Sequence, residues 1–190
     1  MTDIRFSGFG GQGIIRCALI AGKALNIHGG MFATMTQNFG PEARGGACSS
    51  QLVVSEERVL YPYLVAPDVL VSMSQEAYDK YHGELKKGGI LIIDEDLVKP
   101  AKPPTGVKFY IVPSTRFAEE LGNRIFANLV MMGFFTAVTE ITTDEVMKKA
   151  LPGLVPDAFL EKNFKAFDRG YDYGLEAMKK NGQGKKDKKK

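Results

Sequence analysis

Six residues near the amino terminus, Gly8-Phe9-Gly10-Gly11-Gln12-Gly13, separate the short stretch Ile4-Arg5-Phe6 from the run Ile14-Ile15-Arg16-Cys17-Ala18-Leu19-Ile20. The order this dictates is strand, glycine turn, helix, because glycine adopts positive φ readily and the apolar residues after it recur at helical spacing. Such a turn brings backbone N–H groups to the start of a helix, where the macrodipole is positive, and so makes a cradle for a phosphate. A second reading stands beside it, in which the glycines only let strand and helix pack closely.

Downstream, strands and helices alternate. Residues 14–28 carry a broad apolar face, residues 31–36 read as a weak strand, and residues 47–54 as a strand that residues 58–61 could pair as a β-hairpin insertion around 53–60. Asp68-Val69-Leu70-Val71-Ser72-Met73 and Ile90-Leu91-Ile92-Ile93-Asp94 have the continuous apolar character of buried parallel strands, and residues 107–112 add another. Helices are expected at 74–85, 114–121 and 124–141, the last apolar nearly all round and so destined for burial against the sheet or a partner chain. Thr142 and Glu145 have capping-box spacing for a short helix, and Pro156-Asp157 open a final one striped with Phe159, Leu160, Phe164, Phe167, Tyr171 and Leu175. The expected fold is α/β, with a doubly wound, mostly parallel, Rossmann-like sheet and the hairpin insertion.

A chain of 190 residues suits one domain, expected to span 1–182, followed by a disordered lysine-rich tail at 183–190. That tail holds five lysines and one aspartate against a net charge of +3, so the body is near neutral and lacks the basic patch of a nucleic-acid binder. No apolar stretch approaches the roughly 20 residues that span a bilayer, and no signal peptide opens the chain, so no membrane association and a cytoplasmic location are expected. Cys17 and Cys48 are the only cysteines. They cannot supply the about four soft ligands of a zinc or iron–sulfur site, and each reads more simply as a small core residue than as a nucleophile.

The glycine turn satisfies the dinucleotide fingerprint, yet no acid lies about 20 residues further on to hold a ribose. The second strand ends in Thr34-Met35-Thr36-Gln37, and the next acid is Glu42, inside a loop. No basic residue stands at that strand end for a 2′-phosphate either. A P-loop fails because Ile14-Ile15, not Lys-Ser or Lys-Thr, follows Gly13. His28 and His82 have no sequence partner for acid–base catalysis and read as surface residues. Arg16, one turn into the helix, could reach a bound phosphate. Glu42 and Arg44, in the glycine-rich segment 37–46, suit anion recognition or, equally, an internal ion pair.

Two segments together, Gly8-Phe9-Gly10-Gly11-Gln12-Gly13 and Thr36-Gln37-Asn38-Phe39-Gly40-Pro41-Glu42-Ala43-Arg44-Gly45-Gly46, resemble the gamma subunit of the 2-oxoacid:ferredoxin oxidoreductases, and the second segment resembles the 2-oxoglutarate branch more than the pyruvate branch. The resemblance continues through residues 66–77, 89–94 and 122–133. It implies a complex that converts a 2-oxoacid, coenzyme A and oxidised ferredoxin into acyl-CoA, carbon dioxide and reduced ferredoxin. It further implies alpha, beta and delta-type partner subunits that hold thiamine diphosphate, magnesium and iron–sulfur clusters, and an isolated chain that is inactive. Gly10, Gly11, Gln12 and Gly13 would then contact coenzyme A, with Arg16, Glu42 and Arg44 beside them and no catalytic residue in this chain. A purely structural subunit of a pyruvate or branched-chain 2-oxoacid complex is the alternative; a free-standing NAD-dependent dehydrogenase is a more remote one.

Overall fold

The computed structural model describes residues 1–38, 47–102 and 105–186, with side chains as far as residue 180. Strands β1 (Thr2–Phe9), β2 (Phe32–Asn38), β3 (Ala47–Ser55), β4 (Val69–Ser72), β5 (Ile90–Asp94) and β6 (Lys108–Val112) form one sheet in the order β2-β3-β1-β4-β5-β6. Around it lie α1 (Ile14–Lys23), α2 (Gln75–Tyr81), α3 (Ser114–Glu120), α4 (Ala127–Thr139), α5 (Asp144–Lys149) and α6 (Leu160–Lys186). β1, β4, β5 and β6 are parallel, whereas β3 runs antiparallel to both β1 and β2. The sheet is therefore α/β and mixed, with its parallel half at β1, β4, β5 and β6.

The hairpin is displaced from its expected place. β2 and β3 form it, in a register that pairs Phe32 with Ser55 and Asn38 with Ser49. Residues 58–61 form no strand. The reason is edge occupancy: β3 has β2 on one side and β1 on the other, so a return strand would find no free edge to bond.

Alternation along the strands sends Ile4, Phe6, Leu52, Val54, Val71 and Ile92 to one face and Leu70, Leu91 and Ile93 to the other. The first face is covered by α1, α3, α4, α5 and α6, the second by α2 with Tyr78 and Tyr81. This unequal winding follows from α4, in which every residue from Ala127 to Val138 is buried. A helix with no polar side needs cover on both flanks, and α6 supplies a third layer over it. The apolar helix is thus buried within its own chain. Contact with α6 is made where side chains vanish: a Cβ on Gly133 would lie 1.9 Å from the Phe167 carbonyl oxygen, and one on Gly170 would lie 1.9 Å from that of Val130.

Several boundaries differ in detail. α1 passes into a π-helical turn, Ala24–His28, before the chain reverses. Thr143, not Thr142, caps α5, its hydroxyl accepting from the Val146 N–H at 3.3 Å. α6 continues past residue 182 as far as Lys186, and residues 187–190 lie outside the described residues. At the amino-terminal end of the sheet, buried Arg5 pairs with Glu84 and lies over the Tyr81 ring, and Lys86 bridges Asp3 and Asp68. These charges anchor the chain after α2 and sit at the sheet end opposite the glycine turn. No described helix is long and apolar enough to cross a membrane.

Candidate functional site

β1 and β4 are neighbours, but the helices that follow them leave to opposite faces, α1 to one and α2 to the other. Ligands of open α/β sheets collect in the crevice at the carboxyl ends of such a strand pair. Gly10 and Gly11 turn the chain there, and Gly13, with φ 79° and ψ 24°, is the N-cap residue of α1. No capping side chain covers that helix start. The amides of the first turn of α1 have no acceptor within the helix and point outward from the turn.

Gln12 holds this turn in shape. Its Oε1 accepts from the Phe9 N–H at 2.7 Å, and its Nε2 donates to the Met73 carbonyl at 2.8 Å. The side chain expected to touch a ligand thereby ties the turn to the end of β4, with one of its two N–H groups already engaged. Gly8 is needed for the same arrangement, because a Cβ there would lie 2.5 Å from Gln12 Oε1.

Gly10, Gly11, Gln12, Gly13 and Arg16 share one cleft of about 760 Å³. Small-molecule sites span about 300–1,000 Å³. Ile14, Ile15, Leu19, Met73 and Ile125 give it aliphatic walls, buried Thr115 lines it as well, and exposed Arg124 stands at its rim. Buried Asp94 fixes the far wall: its carboxylate accepts from the Ser114 hydroxyl, from the Thr115 N–H and Oγ1 at 2.9 Å each, and from the Asp96 and Leu97 N–H groups at 2.9 and 3.1 Å. Glu42 and Arg44 lie outside the described residues. The chain that follows them starts β3 beside the glycine turn, since Ala47 pairs with Phe9 and Cys48 with Gly8.

Asn128, Arg124 and Thr115 are the cleft residues that motif reading missed. Asn128 carried a signal, being a carboxamide inside an otherwise apolar helix, where a buried polar group requires a partner. It is 2% exposed, its Nδ2 would meet a Cβ on Gly13 at 2.2 Å, and its Oδ1 has no hydrogen-bond partner among the described residues. Both histidines are exposed, and His82 stacks on Tyr78.

Neither cysteine is poised for chemistry. Burial pushes the Cys17 thiol from the ordinary 9.0 up to about 12, and burial raises that of Cys48 as well. A thiol with a raised folded-state value stabilises the fold fully below pH 9.0, and the contribution fades as pH climbs from there towards about 12. Native protein treated with iodoacetamide at pH 8 is therefore expected to stay unmodified at Cys17 and to be alkylated there once unfolded, as intact-mass and peptide spectrometry will read. Rapid native labelling of Cys17 would contradict its burial.

The fold and cleft define an α/β module with a cleft beside a glycine turn at a topological switch point, and the chain belongs to the family described as "Pyruvate ferredoxin/flavodoxin oxidoreductase", which matches residues 3–173. It is 47% identical to the 2-oxoglutarate synthase subunit KorC of Methanocaldococcus jannaschii, over 92% of this chain and 94% of that one. In structure it resembles the gamma subunit of a keto/oxoacid ferredoxin oxidoreductase from Geobacter sulfurreducens, with TM-score 0.82, 39% identity, and coverage of 92% of this chain and 99% of that one. It also resembles a 2-oxoglutarate:ferredoxin oxidoreductase from Magnetococcus marinus, solved with 2-oxoglutarate, coenzyme A and succinyl-CoA bound, at TM-score 0.80 and 26% identity; 92% of this chain matches 31% of that one. The relatives are subunits of oxidoreductase complexes.

Proposed function

We propose that this chain is the gamma subunit of a 2-oxoglutarate:ferredoxin oxidoreductase and contributes the glycine-turn part of its coenzyme A site. The observation that carries the reading is the convergence, in one cleft, of the uncapped start of α1, the Arg16 side chain and aliphatic walls. Coenzyme A is a polyanion joined to a slim amide-bearing arm, and the cleft offers a cationic, N–H-rich end beside a greasy one. Free amides of the first helical turn bind phosphate oxygens, Arg16 adds charge, and Arg44 and Glu42 complete the site from the segment between β2 and β3. Gln12 acts mainly by holding the turn. The chain positions the coenzyme and excludes water; it forms no covalent bond to substrate.

Thiamine diphosphate, magnesium and iron–sulfur clusters belong to partner subunits of alpha, beta and delta type, and ferredoxin meets the complex through them. The cysteine count supports that division, since two thiols fall short of the about four soft ligands a cluster takes. The complex works in the cytoplasm.

Calorimetry on the assembled complex tests the reading. Arg16→Ala is expected to weaken coenzyme A binding about tenfold, the worth of a charge-assisted hydrogen bond. Gly13→Val should weaken it further, because valine resists φ 79° and overlaps Asn128. Unchanged affinity in both variants, with assembly intact, would falsify the binding role and favour a purely structural subunit.

A further inference from the structure

We infer that the Asn128 carboxamide reads the neutral pantetheine arm of the coenzyme, as a hydrogen-bond acceptor set against the glycine turn. The inference rests on the proposed coenzyme A site and adds a residue to it. Asn128 opens α4, and its side chain lies across the α-carbon of Gly13, so closely that a Cβ there would stand 2.2 Å from Nδ2. Its Oδ1 is buried, unpartnered among the described residues, and belongs to a side chain that lines the cleft. Leaving such an acceptor unsatisfied is unfavourable, so an N–H or O–H donor delivered by a ligand would recover that loss.

Which part of the ligand supplies the donor follows from charge. Ionised phosphates have acceptor oxygens and no proton to give, so the groups held by the α1 amides and Arg16 cannot satisfy Asn128. The pantetheine arm carries two amide N–H groups and a hydroxyl, spaced by methylene and methyl groups. The cleft lining also includes the aliphatic residues Ile14, Met73, Ile125 and Ala127, which suit that arm. The adenine amino group and the ribose 2′-hydroxyl are the other donors, and both are kept on adenosine 3′,5′-bisphosphate; among the described residues the cleft lining includes no aromatic ring for adenine to stack on.

The decisive comparison is calorimetry of coenzyme A against adenosine 3′,5′-bisphosphate, which keeps the nucleotide end and lacks the arm, on complexes carrying wild-type chain, Asn128→Leu or Asn128→Ala. Both variants are expected to lose about tenfold in coenzyme A affinity and nothing in bisphosphate affinity. Equal losses for the two ligands, or none, overturn the inference while leaving the coenzyme site standing. Absence of coenzyme A binding that depends on Arg16 and Gly13 overturns the site and the inference together. Should the variants fail to assemble, the wild-type full chain decides through its 15N spectrum: the Asn128 side-chain amide signal is expected to shift with coenzyme A and stay fixed with the bisphosphate, and the reverse overturns the inference.

Discussion

Replacing Gly133 with alanine is expected to destabilise the chain by about 3 kcal/mol or more, at the upper end of overpacking costs, and so to lower its melting temperature by about 6–12 °C. Two effects oppose each other. Alanine is the better helix former by about 1 kcal/mol, and on an isolated helix the change would stabilise. Here the added methyl would sit 1.9 Å from the Phe167 carbonyl oxygen and 2.8 Å from the Tyr171 backbone nitrogen. Those atoms belong to the α6 main chain, which cannot turn aside as a side chain does, so α4 and α6 must separate along their crossing. Separation opens voids beside Val130, Phe134 and Phe167, all buried, and wins over the propensity gain. Gly170→Ala should behave alike, because its methyl would meet the Val130 carbonyl oxygen at 1.9 Å. Denaturation followed by circular dichroism will check both; a melting point at or above wild type would show that the helices slide apart without loss.

These glycines mark the limit of what the sequence discloses about the fold. The glycine turn, the buried strand Ile90–Asp94 and the apolar α4 were legible because each is a local pattern of hydrophobicity or backbone freedom. The helix crossing was not. The aromatic stripe along α6 and the turn before it draws the eye, yet Phe159, just before the helix, and Leu175 are exposed, and the contact face runs through Asn163, Ala166, Phe167, Gly170 and Gly174. Glycine inside a helix reads locally as a breaker, and only the distance to another backbone reveals it as a contact. The hairpin was misplaced for a related reason. Alternation in β3 says that it is a strand but not which neighbours take its edges, and both edges are taken by β1 and β2.

The cleft divides in the same way. Gly10, Gly11, Gly13 and Arg16 were readable from spacing, because the turn and the first helical turn fix where they point. Gln12 was read as a contact for the ligand; its bonds to Phe9 and Met73, which make it a brace for the turn as well, were not legible. Asn128 is 115 residues beyond Gly13 and reaches the turn only because α4 packs beside α1, with the Cys17 thiol donating to the Asn128 carbonyl at 3.9 Å. No local pattern carries that proximity.

Asp94→Ala is the second large effect, and it separates support of the site from contact with the ligand. The carboxylate accepts from five donors, three of them backbone N–H groups of Asp96, Leu97 and Thr115 that cannot rotate to find another acceptor. Each donor left bare away from water costs about 1–3 kcal/mol; the Ser114 and Thr115 donors are buried, whereas water reaches those of Asp96 and Leu97 and relieves part of the loss, so a net loss of about 3–5 kcal/mol is expected. For a chain of this size that is about 6–20 °C in melting temperature. Asp94→Asn tests whether hydrogen bonding is the cause: one oxygen is kept, but the new NH2 must face at least one backbone N–H, so this variant should still fall well below wild type. Loss of amide-exchange protection at Asp96, Leu97 and Thr115 is expected in both. Leu97 and Thr115 form the far wall of the cleft, so coenzyme A affinity should fall as well, although Asp94 does not line the cleft. A stability change under about 1 kcal/mol in Asp94→Ala would mean that the β5–α3 turn is held by something other than this carboxylate.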